Sequence, residues 1–399
     1  MPPTERLYNM NFGDKMRTIK TMAVWAACCM LVVPVSCSRD LDLAGKYDNT
    51  ESSKPYEEED ISDDYTEYGD YFMTGRRDIN VNQDIPRRSF WLDGKITAVK
   101  FSWASKFTLF WSADDSYMQE ACETPWLENN INGLTAEMAV IGKNIQPTPG
   151  FSDGGQWFIG VHELPGEKLV GFFHSESHWP GSGGAFKSIG VAYSSDHGHT
   201  WTAGEPILMG TDPKPETGPS DNRSYGLGDG CVVWNEERES WICYYSGYCP
   251  DKSDFVITMA ESKDEEGRPG TWRKWDGTDF TVEGCNGITH LGGINTSIAE
   301  LSLYHGGNPS VMYNTWLNKW LMVWHSWQRT IVYSTSDDGI SWEKPAVLLG
   351  NGDEPGGAMY PNLIGPEGDV KGGQNVRLYY ASDMQGSGRT LSVRRISFK

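Results

Sequence analysis

From residue 150 onward, apolar and polar positions alternate in short runs and show no sustained helical period. One unit of this pattern recurs. It opens with a Gly-flanked apolar strand, continues with a strand dense in aromatics and a third of small and polar alternation, then closes in a turn ending in Trp. The clearest copy covers 158–162, 169–174 and 187–193, with its turn at 194–201 and a last short strand at 206–208. The next copy has strands at 230–234, 241–245 and 256–262 and ends at Trp272. A third has 309–313, 320–324 and 331–334, a turn at 336–342 and a strand at 345–348. The last has 360–364, 376–380 and 391–398, and segments 90–93 and 107–112 supply one more upstream. Short, evenly spaced strands with a Trp-ended turn per repeat predict an all-β chain folded as a β-propeller. In that fold each four-stranded blade buries its faces only against its neighbours. Five blades are expected. Six is the alternative, because 113–150 is irregular enough to hide further strands.

The turn at 194–201 reads Ser-Ser-Asp-His-Gly-His-Thr-Trp. Asp196 is placed to accept backbone N–H groups within the turn, Gly198 to take a conformation that a side chain disfavours, and Trp201 to pack between sheets. It resembles the Asp-box of sialidase-type propellers, with a degenerate copy at 336–342. The resemblance implies a structural role for Asp196, not a catalytic one.

The N-terminus reads differently. Arg17 and Lys20 precede an apolar run over 22–35 and then Ser36-Cys37, which predicts an export signal. The run is shorter than the roughly 20 apolar residues that a membrane span needs. Met16 is a plausible start, and residues 33–37 resemble a bacterial lipoprotein cleavage site with Cys37 as the lipidated residue, although Pro34 departs from that pattern. Residues 1–37 are therefore assigned to the signal and 38–70 to an acidic spacer. Ten acidic residues between Asp48 and Asp70 and few large aliphatics leave it too little apolar surface to offset its ordering entropy. Residues 71–399 form the propeller domain. Export permits disulfides, five cysteines after the signal leave at least one unpaired, and Cys231 and Cys243 on neighbouring strands of one hairpin are placed where they could pair.

Composition narrows the function. The 399 residues carry 34 Lys+Arg against 54 Asp+Glu, a formal net charge of -20, which argues against nucleic acid as a partner. The 17 Trp residues suit a glycan surface, because flat apolar sugar faces stack on aromatic rings. The chain is expected to be a monomer that binds glycan and no nucleic acid, has no transmembrane domain, and lies outside the cytoplasm.

In a propeller the inner strands converge on a central pocket, so polar residues near their starts are the first candidates. Asp93, His162 with Glu163, Asp229, Asn308 and Asn362 take comparable places in successive units. The densest cluster is at 173–179, where a strand's period of two puts His174, Glu176 and His178 on one face beside Trp179. Two imidazoles around a carboxylate tune one another as acid and base, or hold a divalent metal with His162 as a further ligand. No zinc motif is present and no cofactor is certain. Lys187, Tyr244, Tyr245, Glu261, His325, Glu354 and Tyr360 complete the candidates.

The blade rhythm over 88–399, with Asp93, Glu176 and Asp229 as carboxylates, is similar to that of the five-bladed propeller glycoside hydrolases, a group including arabinofuranosidases, xylosidases and fructosidases. The resemblance implies three pocket carboxylates: Asp93 as base or nucleophile, Glu176 or Glu261 as acid, and Asp229 as the residue that adjusts the acid. Propeller polysaccharide lyases are the rival. There His162, His174 or His178 would abstract a proton, Tyr244 or Tyr245 would donate one, and Lys187 or Arg223 would neutralise a uronate carboxylate. A non-catalytic glycan-binding propeller is the third reading. A sialidase would need a three-arginine clamp, which Arg223, Arg329 and Arg377 do not clearly supply.

Overall fold

A computed structural model describes residues 65–79, 92–112, 116–127, 145, 147–221, 223–285, 287, 291–384 and 389–399. The signal, Cys37 and most of the acidic spacer lie outside them. Side chains of a strand point alternately to the two faces of its sheet, and here both faces are apolar: the second strands of the units are buried along nearly their whole length. Such strands need a covered sheet on either side, and the chain supplies it by repetition.

The described chain begins with β1 (Tyr65–Tyr68), β2 (Tyr71–Thr74) and β3 (Arg77–Asp78), which belong to the final unit. The first strand thus starts inside the segment expected to be a spacer as far as residue 70. Unit I is β4 (Ile96–Val99), β5 (Phe107–Ser112) and β6 (Ser116–Cys122). Unit II is β7 (Gly155–Leu164), β8 (Lys168–His178), β9 (Ala185–Ser194) and β10 (Glu205–Leu208). Unit III is β11 (Tyr225–Asn235), β12 (Ser240–Cys249), β13 (Asp254–Ser262), β14 (Arg273–Trp275) and β15 (Phe280–Glu283). Unit IV is β16 (Gly306–Asn314), β17 (Lys319–Ser326), β18 (Ile331–Ser336) and β19 (Ala346–Leu349). Unit V is β20 (Met359–Ile364), β22 (Asn375–Ser382) and β23 (Thr390–Phe398), while β21 (Lys371–Gly372) pairs with β16. Each unit is an antiparallel meander. Of the segment 113–150, where further strands of a sixth blade were expected to hide, 116–122 form β6 of unit I, and 113–115, 128–144 and 146 lie outside the described residues.

The inner strands touch in sequence, β4 against β7, β7 against β11, β11 against β16 and β16 against β20. The ring then returns to its start: Asn362 on β20 accepts the Ile96 N–H at 2.7 Å and donates to the Gly94 carbonyl at 3.0 Å. The apolar clusters follow the same order. Phe110, Phe158 and Trp201 fill the seam between I and II, Phe172, Trp241 and Trp272 that between II and III, and Val311, Trp324 and Trp342 that between III and IV. Val323, Leu363 and Tyr380 join IV to V, and Trp111, Tyr379 and Val393 join V back to I. This is a β-propeller. Its last sheet is completed by the N-terminal strands, β2 pairing with β23.

The Asp196 turn is local carpentry. Its carboxylate accepts the Thr200 N–H at 2.8 Å, and the Trp201 indole donates to the Gly198 carbonyl at 2.9 Å. Asp338 does the same for the turn before Trp342, accepting the N–H groups of Ile340 and Ser341. A Cys231–Cys243 disulfide is absent. Cys231 faces Tyr244 across the ladder and Cys243 faces Val232, so a one-residue offset sends the two thiols to opposite faces. Cys231 belongs to the III–IV seam and Cys243 to the II–III seam.

Between the inner strands lies a buried ion pair. Lys95 Nζ is 2.9 Å from Asp369 Oδ2, and both side chains are almost fully covered. Asp369 also accepts the Ala98 N–H, and Lys95 reaches Ser310 Oγ on the inner strand of unit IV. Replacing Lys95 with Met leaves an uncompensated carboxylate inside the ring. The expected cost is about 3–5 kcal/mol, read as a lower denaturant midpoint, with most of it recovered in the Lys95→Met/Asp369→Leu double variant. A single variant as stable as the parent would show that the pair does not hold the ring.

Candidate active site

The candidate residues gather where the inner strands begin and the second strands end. At this edge three inner strands carry a register break with a left-handed residue in it: Asp229 (φ 51°), Asn308 (φ 53°) and Tyr360 (φ 54°). Side chains in that region are strained by about 1 kcal/mol or more, and such residues cluster at functional sites. The bulge re-aims each side chain away from the pleat alternation. Gly228 is required beside Asp229, because a Cβ there would lie 2.1 Å from His174 Nδ1.

On β8, His174, Glu176 and His178 share one face, as their spacing predicts. Glu176 takes the two imidazoles on its two oxygens, His174 Nε2 at 3.2 Å and His178 Nε2 at 2.7 Å. The Asp229 N–H donates to His174 Nδ1 at 3.1 Å, so His174 carries its proton on Nε2 and donates it to Glu176. Lys187, from the start of β9, lies 3.1 Å from Asp229 and 3.4 Å from Glu176. Arg389, immediately before β23, holds Asp93 at 2.5 Å, and its guanidinium lies 5.0 Å from the centre of the Tyr360 ring. Tyr360 donates its hydroxyl to Asp93. Below it, His325 accepts the Tyr360 N–H on Nδ1 at 3.3 Å; its buried Nε2–H has no acceptor among the described residues.

The three carboxyls are tuned in opposite directions. Burial raises Asp93 above the ordinary carboxylate range, outweighing Arg389 and Tyr360, and the Asp229 charge adds to the rise. Burial would also raise Glu176, but the His174 hydrogen bond, the Lys187 charge and the His178 hydrogen bond hold it well below that range. Asp229 is likewise lowered: burial works against it, and the Lys187 charge prevails. Lys187 itself is raised, since Asp229 and Glu176 overcome its desolvation. One carboxyl of raised proton affinity thus shares a site with two of lowered affinity.

Several expected site residues belong elsewhere. Glu261 is buried on β13, accepting from Arg238 at 2.8 Å and Ser240 Oγ at 2.9 Å. Tyr244 and Tyr245 are seam residues, their hydroxyls donated to the Gly339 carbonyl at 2.6 Å and to Asn295 at 3.0 Å. Asn362 is spent on ring closure. Glu354 is a clasp for the N-terminal strands, paired with Arg394 at 2.7 Å and Arg76 at 3.2 Å. His162 pairs across the ladder with Val170, about 13 Å along β8 from His174, and donates to the Val232 carbonyl. Glu163, one residue on, accepts from Ser102. The set His162, His174 and His178 is therefore not assembled as metal ligands, and no three His, Cys, Asp or Glu side chains among the described residues form such a group. Arg223 pairs with its neighbour Asp221 in solvent, and Arg377 stacks on Trp126 at 3.7 Å.

Trp179 is nearly buried, with its indole on the Pro215 carbonyl and Lys214 5.1 Å above its ring. It forms one wall of an open hollow of about 380 Å³ beside the exposed His178, lined also by Ser182, Glu216 and Ser220. The residue that sequence reasoning missed is Arg389. Its signal was available by analogy: Lys187 and Arg389 open the third strands of units II and V.

No family model and no curated protein matches this chain. Solved structures do. A GH62 hydrolase in complex with xylotriose is 11% identical with a TM-score of 0.50, over 82% of this chain and 97% of that one. A thermostable family-43 glycoside hydrolase is 11% identical with a TM-score of 0.48, over 80% and 94%. The catalytic domain of the Coprinopsis cinerea GH62 α-L-arabinofuranosidase is 10% identical with a TM-score of 0.46, over 82% and 96%. At these identities the likeness is one of fold: the chain has the propeller fold of such hydrolases.

His325 yields a pH prediction. Burial pushes its imidazole down to about 4, with the Asp229 charge opposing and the Lys187 charge assisting. The unfolded chain takes up this proton near pH ~6.5, so the contribution of neutral His325 is complete above that value and is lost as pH falls toward 4. Urea midpoints should drop across this window by the equivalent of about 3 kcal/mol, and His325→Gln should flatten the slope. The lowered Glu176 and Asp229 add their own loss from about pH 5 downward, where the unfolded carboxyls begin to protonate, and that part remains in the variant. An unchanged slope in the variant would rule out His325 as its source.

Proposed function

We propose that this protein is an exported carbohydrate-active enzyme that hydrolyses glycosidic bonds of an oligo- or polysaccharide by carboxylate acid–base chemistry. One observation carries the reading: Asp93, Glu176 and Asp229, from three successive units, meet at one edge of the ring with their proton affinities driven apart. Glycoside hydrolysis asks for this pairing of a protonated carboxyl and an ionised one across a sugar ring. Xylo-oligosaccharides are a sensible first probe, since a hydrolase of this fold was solved with xylotriose.

The electrostatics favour roles other than those the resemblance implies. Asp93, the carboxyl raised by burial, is the general acid, steadied by Tyr360 and Arg389. Glu176 and Asp229 stay ionised, and one of them serves as base or nucleophile while Lys187 holds both in place. Two of the imidazoles argue against elimination. His174 is bonded at both nitrogens and His325 accepts the Tyr360 N–H on Nδ1, so neither is a free base. His178, which donates Nε2–H to Glu176 and bears its lone pair on Nδ1, is the base an elimination would use. Tyr244 and Tyr245 are locked in the seams. We place the enzyme outside the cytoplasm as a monomer, with Cys37 as its lipid attachment point.

Asp93→Asn, Glu176→Gln and Asp229→Asn should each lower kcat/KM on a natural glycan by about 10²–10⁴-fold. Asp93→Asn alone should regain much of the loss on a dinitrophenyl glycoside, whose leaving group needs no proton, and should lose the alkaline limb of the pH profile. Products carrying the ultraviolet absorbance of an unsaturated uronate would replace hydrolysis by elimination. A digest of a broad glycan panel that yields no new reducing ends would leave only the binding reading.

A further inference from the structure

Two large rings remain in solvent beside the candidate site, Trp327 with 42% of its surface exposed and Tyr248 with 45%. Exposure alone is no argument, because Trp316 is as exposed at the opposite end of the ring, where its indole merely donates to the Lys399 carbonyl. Placement and fixation distinguish the other two. Tyr248 ends the second strand of unit III and Trp327 follows the second strand of unit IV, positions level with His178 in unit II. Both therefore stand on the edge where the carboxylates gather.

Trp327 is held rigidly across the seam between units III and IV. Its indole Nε1 donates to the Phe255 carbonyl at 3.2 Å, and its backbone N–H donates to the His305 carbonyl at 2.9 Å. Gly307, next to Asn308, leaves room for the ring, since a Cβ there would stand 3.2 Å from it. Tyr248 packs edge-on against Phe255 at 5.8 Å. Ring contacts then lead inward without a gap, Trp327 to His325 at 5.4 Å and His325 to Tyr360 at 5.5 Å, and the Tyr360 hydroxyl lies on Asp93. On the same rim, half-exposed His305 and Asp254 pair at 2.6 Å and offer polar partners beside the rings. A fixed, exposed aromatic face flanked by hydrogen-bonding groups and in contact with the carboxylate cluster is what a sugar ring requires: an apolar surface to stack on and groups to meet its hydroxyls.

We propose that Trp327 and Tyr248 form a stacking platform for sugar residues beyond the bond being cleaved, so that the substrate is a glycan chain lying across units III and IV and not a lone terminal sugar. The proposal rests on the hydrolase reading for its substrate class. Its test separates the two. Wild type, Trp327→Ala, Trp327→Phe, Tyr248→Ala, Trp316→Ala and Asp93→Asn are run in native gels containing soluble arabinoxylan, arabinan, levan or polygalacturonate. At least one polymer should retard wild type, Trp316→Ala and Asp93→Asn alike. Trp327→Ala should weaken the apparent affinity about tenfold and Tyr248→Ala a few-fold, with Trp327→Phe close to wild type. In kinetics, the ratio of kcat/KM on the polymer to that on an aryl glycoside should fall about tenfold in Trp327→Ala, through KM. Unaltered retardation in Trp327→Ala overturns the platform, as does an equal loss on both substrates. So does cleavage of the aryl glycoside with no polymer retarding wild type. Retardation that depends on Trp327 without any cleavage keeps the platform and sinks the hydrolase reading; neither retardation nor cleavage sinks both.

Discussion

A sheet buried on both faces is stable only between two neighbours, so every unit of this chain depends on the ring being shut. The shutting is done by the two ends of the domain. β2 adds itself to β23, while Arg76 from the N-terminal side and Arg394 from β23 converge on the buried carboxylate of Glu354. Asn362 and the Lys95–Asp369 pair then tie the inner strands together at the axis. Lose the closure and the seams between V and I and between IV and V open together, because β20, β22 and β23 contribute to both.

The site is a consequence of the same closure. Asp93 comes from the approach to β4, Glu176 from the end of β8, Asp229 from a bulge in β11 and Arg389 from the chain just before β23, so no two adjacent elements suffice to build it. Bringing them together concentrates charge that a single unit would not tolerate. The ring offsets it by bringing each carboxylate a cation from another strand or its approach, Arg389 for Asp93 and Lys187 for Asp229 and Glu176, while His174 and His178 bond Glu176 along its own strand. Burial and these partners then separate their proton affinities, raising that of Asp93 and lowering those of Glu176 and Asp229.

Much of this was legible along the chain. Strand alternation and the Trp-ended turns announced the propeller, because those signals are local and repeat. The cluster His174, Glu176 and His178 could be read from period two alone. Asn308 and Asp229 were flagged by their position at strand starts and Tyr360 only as a further candidate, and the Asn308-Pro309 and Tyr360-Pro361 dipeptides mark two of the three bulges. Other assignments failed for a single reason. His162, Glu163, Glu261, Tyr244 and Tyr245 sit on the right elements but at the wrong end of a strand or in a seam, and periodicity does not say which end of a strand meets the axis. Cys231 and Cys243 failed by one residue of register, which no count along the chain reveals.

Sequence alone thus determined what depends on neighbours along the chain: the strands, the turns that Asp196 and Asp338 close, the aromatic-rich apolar seams, and the acidic net charge. Tertiary structure decided which polar groups face one another. Pairing partners such as Arg389 and Asp93 lie nearly the whole domain apart in sequence, and proton affinities depend on burial and on charges from other units. Trp327 is fixed at the rim because its indole reaches across a seam to Phe255. Those distances are set by ring closure, a property of the whole chain that no local window contains.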